Sequence, residues 1–156
     1  MSKTSVSQLE DHLGYWFRCL SNFVSESFAS RLAGHDISVA QWVVLRTLYD
    51  REELTLNEAA ALVGVDKSSL SRMMDRLEAR GLVQRTAGAD RRSIGLNLTT
   101  AARKLVPQLA ELADQNDRQF FKPLPATRRK ELLQTLQFLL KENGWELPAR
   151  GNDRLK

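Results

Sequence analysis

Cysteine is almost missing from this chain. Cys19 is the single one in 156 residues, so no internal disulfide can form and the fold must rest on its core. Long apolar runs are missing too: nothing approaches the ~18–20 residues that a membrane-crossing helix needs. Residues 1–11 are polar and carry acids, without the basic start or apolar run of a secretory leader. These absences lead to the expectation of a cytoplasmic protein without a membrane partner. Histidine is scarce, with only His12 and His35, and neither C-x-x-C nor H-E-x-x-H occurs. No metal site and no cofactor are expected. A Gly-rich phosphate loop and a nucleophile–base signature are both lacking, so no catalytic residue is assigned and an enzyme is not expected.

What is present suits one globular domain. Hydrophobic residues make up 42% and charged residues 27%. The net charge of +4 and pI near 9.5 permit an anionic partner without demanding one. Leu9, Leu13, Trp16, Leu20, Phe23 and Val24 fall on one stripe of a first helix, widened by Phe17 and Phe28. That helix is expected to stop near Gly34. Ser38 and Gln41 form a capping box for a second helix, with Ile37 and Trp42 at the staple positions. Thr55 and Glu58 repeat the box for a third helix, which Gly64 ends. Asp66 caps a fourth, running to Arg80 and Gly81. Two short helices joined by a tight Gly-containing turn read as a helix-turn-helix.

Two strand-like runs follow, 82–86 and 93–98, around a polar tip, and predict a β-hairpin wing. Thr99 or Thr100 opens a fifth helix with a stripe of Leu105, Leu109 and Leu112. After Pro123 and Pro125, a sixth carries Leu132, Leu133, Leu136, Leu139 and Leu140. The fold class is therefore mainly α with a small hairpin wing. The long terminal helices have more apolar surface than the middle lobe can cover, and should pack on each other and on a second chain.

The fourth helix divides cleanly. Leu70, Met73, Met74 and Leu77 face the core, while Ser68, Arg72 and Asp75, flanked by Ser71 and Arg76, face outward. Small hydroxyls near a helix start allow close approach to a duplex, and arginine can reach guanine as a bidentate donor. From Lys67 to Arg92 there are seven basic and three acidic residues, a surplus equal to the charge of the whole chain. A tip bearing Asp90, Arg91 and Arg92 can place arginine in a narrow minor groove.

The run Leu77-Glu78-Ala79-Arg80-Gly81-Leu82-Val83-Gln84-Arg85, followed by Asp90-Arg91-Arg92 and Leu96-Asn97-Leu98-Thr99, resembles the MarR family signature. Ser38-Val39-Ala40-Gln41-Trp42 with Leu45 and Leu48 is similar to that family's second helix. The resemblance spans roughly residues 9–143. It implies a homodimeric winged helix-turn-helix regulator, commonly a repressor, on a pseudo-palindromic duplex. On it, 1–36 and 101–148 are dimerisation helices, 37–100 is the DNA-binding lobe, and 149–156 is a flexible tail. It assigns Ser68, Ser69, Ser71 and Arg72 to the groove, Arg76 to the phosphate backbone and Arg92 to the minor groove. Asp90 is then the acid that holds the wing by pairing with a nearby arginine. It also implies a small, often aromatic anion as effector, bound between the dimer helices and the DNA-binding lobe.

Trp16, Trp42 and Arg46, with Arg18 nearby, are candidates to line that pocket, although the plainer use of each tryptophan is in the core. Cys19 invites a redox reading, because peroxide-sensing members carry a reactive cysteine on the first helix. It falls about one residue from the sensing position, and only Tyr15 and Tyr49 exist as partners. A buried, inert thiol is expected instead. The alternatives to a DNA-binding regulator are a winged helix turned to protein binding and this thiol sensor.

Overall fold

The computed structural model describes residues 6–51, 54–87 and 94–146. The wing tip with Asp90, Arg91 and Arg92, and the tail 149–156, lie outside the described residues.

Among the described residues, six α-helices and three strands follow one another as α1 (Leu13–Leu32), α2 (Val39–Asp50), β1 (Leu54–Thr55), α3 (Leu56–Val63), α4 (Lys67–Ala79), β2 (Val83–Ala87), β3 (Ile94–Leu98), α5 (Thr100–Phe120) and α6 (Ala126–Glu142). The starts are set locally. Ser38 Oγ accepts from the Gln41 amide at 3.1 Å while Gln41 Oε1 accepts from the Ser38 amide at 2.9 Å. Thr55 and Glu58 do the same for α3, and Thr99 accepts from the Ala102 amide to open α5. Each pair satisfies amides that a helix start leaves without partners. Gly64 and Gly81, both with φ near +70°, turn the chain at the ends of α3 and α4.

α1 ends near Gly34 as expected, but the left-handed residue that closes it is a different one. The helix stops at Leu32 and tightens into a 3-10 turn, Ala33–His35; the left-handed residue is Asp36, φ 52°, and not Gly34. Aspartate tolerates that conformation better than most residues, and Arg80 holds its carbonyl from across the fold.

The sheet is antiparallel in the order β1-β3-β2. The hairpin pairs Val83 with Leu98 and Arg85 with Leu96. The third strand differs from the two-stranded expectation: β1 has two residues, too few to show a period, and exists because Leu54 pairs with Leu96 in the core.

One cluster of buried residues joins the C-terminal end of α1 (Phe28, Leu32), α2 (Val44, Leu45, Leu48), α4 (Leu70, Met74, Leu77), the sheet, and the first half of α5. On α5 the buried face is Ala102, Val106 and Leu109. Leu105 and Leu112 only flank it, so the stripe is rotated from the leucine pattern. Pro107 sits inside the helix without ending it. Elsewhere large apolar side chains are open: Leu13 is 76% and Phe23 69% exposed on α1, Phe138 is 60% exposed on α6, and no residue of α6 is buried.

Candidate nucleic-acid interface

The candidate surface begins at the cap of α4. Asp66 accepts from the Ser69 amide at 2.9 Å and from the Ser69 hydroxyl at 2.7 Å. These bonds, the amide first, hold the Asp66 carboxyl below the ordinary aspartate range. A depressed pKa means that the carboxylate stabilises the cap above the unfolded value of about 3.9 and ceases to do so as pH falls through the lower folded value. The protection factors of the first-turn amides of α4, with the intrinsic slowing of exchange in acid divided out, should therefore fall on acidification below about pH 4. Asp66→Asn should flatten that dependence; an unchanged profile would remove the carboxylate from the cap.

Ser68, Arg72, Asp75 and Arg76 are exposed, while Leu70, Met74 and Leu77 are buried, as the helical wheel requires. The expected groove serines are not equivalent. Ser68 is open, but Ser69 serves the cap and also accepts from Arg72 at 3.5 Å. Ser71 is half-buried, and its carbonyl accepts from Arg85 Nη2 at 3.0 Å.

In the sequence Arg85 closes the signature run without an assigned partner; in the fold it has a specific place. From β2 its Nη1 donates to Asp75 at 2.7 Å and to Glu78 at 3.2 Å, and its side chain is only 24% exposed. It thereby ties the stem of the wing to α4 and neutralises the acids that would face a polyanion beside Arg72 and Arg76. The expected wing acid, Asp90, lies outside the described residues. The signal was present as Asp75 and Glu78, one turn apart on α4, with Arg85 just after the Gly81 turn.

An open cleft of about 850 Å³ flanks α4, lined by Asp36, Ser38, Gln41, Arg72, Arg76 and Arg80 among others. A second, of about 290 Å³, lies where α1, α2 and α5 meet, between Val24, Phe28, Trp42, Val43, Ala113 and Asn116. Phe28 and Trp42 meet edge to face at 6.0 Å. Asn116, 3% exposed, is the buried polar group at this junction. Its Oδ1 accepts from Ser27 Oγ at 2.7 Å and Arg31 Nε at 3.3 Å, and its Nδ2 donates to the Val24 carbonyl at 3.5 Å.

Of the four expected effector residues, Trp42 alone lines this cleft. Trp16 sits in the first turn of α1, 53% exposed, with its indole N–H on the Glu10 carbonyl and its ring against Tyr15. Arg18 is exposed on α1. Arg46 pairs with Asp50 at 2.6 Å and lies over the Tyr49 ring. Cys19 is half-buried, not buried as expected. The Cys19 side chain, one turn after Tyr15, is the leading cause that pushes the Tyr15 phenol pKa up. Among the described residues, no cluster of three or more His, Cys, Asp or Glu could hold a metal. None of their helices is long and apolar enough to cross a membrane.

A capped helix pair and turn, an arginine-bearing second helix and an antiparallel hairpin define a winged helix-turn-helix protein. Residues 35–93 match the model of the MarR family. Three solved structures extend the likeness over most of the chain. A MarR-family transcriptional regulator from Rhodococcus sp. RHA1 is 26% identical, with a TM-score of 0.80, over 86% of this chain and 96% of its own. The transcriptional repressor CouR, solved on a 23-mer DNA duplex, is 29% identical, with a TM-score of 0.77, over 88% and 99%. CouR from Rhodococcus jostii RHA1, solved with p-coumaroyl-CoA, is 25% identical, with a TM-score of 0.76, over 86% and 95%. Residues 35–93 thus match the MarR family model, and most of the chain shares the fold of MarR-family transcriptional regulators.

Proposed function

We propose that this protein is a cytoplasmic, homodimeric repressor that binds a pseudo-palindromic DNA operator and releases it when a small aromatic anion occupies the cleft between α1, α2 and α5. The observation that carries the DNA reading is the exposed face of α4, where Ser68, Arg72 and Arg76 stand beside acids, Asp75 and Glu78, that Arg85 has already taken up. Ser68 and Arg72 read base edges in the major groove, Arg76 holds a phosphate, and Ser69 and Ser71 fix the turn that presents them. Arg91 and Arg92, steadied by Asp90, enter the flanking minor groove. CouR on its duplex supports this reading from a relative.

The dimer reading rests on Leu13, Phe23 and Phe138, apolar side chains on terminal helices that a lone chain leaves in water. The effector reading rests on Phe28 and Trp42 as aromatic walls beside the polar Asn116. This replaces Trp16, Arg18 and Arg46 as lining residues and keeps Trp42. CouR with p-coumaroyl-CoA supports an aromatic effector.

Selection of bound duplexes from a random pool at ~0.15 M salt tests the reading. An inverted repeat with half-sites about one helical turn apart is the expected product. Recovery of no consensus from protein stripped of small molecules would instead favour a winged helix devoted to a protein partner.

A further inference from the structure

The recognition helix packs chiefly on α3 and β2, and the 850 Å³ cleft separates much of its flank from the corner where α1 passes into α2. Arg80 crosses that gap. As the residue that closes α4, it donates Nη2 to the His35 carbonyl at 3.0 Å and Nη1 to the Asp36 carbonyl, with the Asp36 carboxylate 3.8 Å away. Those carbonyls lie at the C-terminal end of α1 and its 3-10 extension, where backbone acceptors lack helical partners and carry the negative end of the helix dipole. The corner itself is held at an uncommon geometry, since Asp36 is the one described non-glycine residue with positive φ.

We infer that Arg80 is a positioning residue which sets the angle of the recognition helix against α1. This rests on the proposed DNA-binding function, because α1 is the helix assigned to the dimer. A guanidinium suits this role because its planar fork reaches two successive carbonyls at once, a geometry a single ammonium cannot reproduce. With the tie intact, movement of α1 carries α4 with it, so the spacing of the two recognition helices follows the dimer. With the tie cut, α4 keeps its cap, its core face and Arg85, but its tilt is no longer fixed to α1.

The experiment compares wild type with Arg80→Ala and Arg80→Lys on the selected duplex and on duplexes whose half-sites are moved one base pair closer or further. Wild type should prefer its own spacing by about tenfold or more, Arg80→Ala by less than about threefold, and Arg80→Lys should fall between. In parallel, spin labels on Glu26→Cys of α1 and Lys67→Cys of α4, in a Cys19→Ser chain diluted into unlabelled protein, report the α1–α4 distance without DNA. The distribution should broaden in Arg80→Ala. If that variant does not fold, Arg80→Met, which keeps the aliphatic stem, gives both readings. An unchanged spacing preference with an unchanged distance distribution overturns the inference, even if affinity falls. A fall in affinity accompanied only by a salt slope smaller by about one phosphate contact would make Arg80 a backbone contact. Failure of wild type to bind any duplex would defeat the DNA reading alone, because the label distances would still decide the tie.

Discussion

Arg72→Ala should bind the selected operator about ten- to a hundredfold more weakly, a loss of ~1–3 kcal/mol. Arg72 is exposed on the outward face of α4, nearly two turns past the Asp66 cap, and its described contact is a long one to Ser69. A side chain so placed has its donors available for a base edge, and truncation would leave the facing acceptors unmet. The loss should be concentrated on the best sequences and small on scrambled duplexes. Equal loss on every duplex would make Arg72 a phosphate contact. Because the residue touches neither the core nor the cap carboxylate, thermal stability should stay within ~0.5 kcal/mol of wild type.

The second large effect concerns stability. Asn116→Leu should cost ~2–3 kcal/mol, since it removes the acceptor shared by Ser27 and Arg31 and leaves the hydroxyl and guanidinium partly buried without it. For a chain of this size the melting temperature should drop by roughly 5–10 °C. Asn116→Asp keeps an acceptor for both partners, and should recover most of the loss. If the leucine and aspartate variants melt together, shape and not hydrogen bonding holds α1 to α5. The distinction matters for the proposed effector, because Asn116 borders the cleft beside Phe28 and Trp42.

What the sequence revealed and what it hid divide along one physical line. Ser38 with Gln41, Thr55 with Glu58, and Asp66 with Ser69 are three residues apart and interact within a single turn. Such spacing is visible to the eye, and the helix starts could be read from it. The buried face of α4 was legible for the same reason. Asp36, β1 and Asn116 were not, because their partners lie far away in the chain. Asp36 depends on Arg80, Leu54 on Leu96, and Asn116 on Ser27 and Arg31. Nothing local marks an asparagine in a polar helix as the one that will be buried. The candidate pocket erred in the opposite sense. Trp16 and Arg46 have the right chemistry, but each finds a partner within a few residues on its own stretch of chain, Glu10 and Asp50. The likeness to a known family placed the pocket between the dimer helices and the lobe, and the side chains forming a cleft there come from α1, α2 and α5 together.

Arg85 has a consequence for anyone wishing to retarget this regulator. The outward surface of α4 is not one exchangeable strip. On the proposed reading, Ser68 and Arg72 can be swapped for the reading residues of another operator, but Asp75 and Glu78, though they share the solvent side of the helix, are the counterions of a strand. A transplanted helix that lacks them would arrive with an orphaned guanidinium beneath it. The graft therefore has to be cut as a helix plus one residue of β2, and the alphabet open to redesign is narrower than the exposed face suggests.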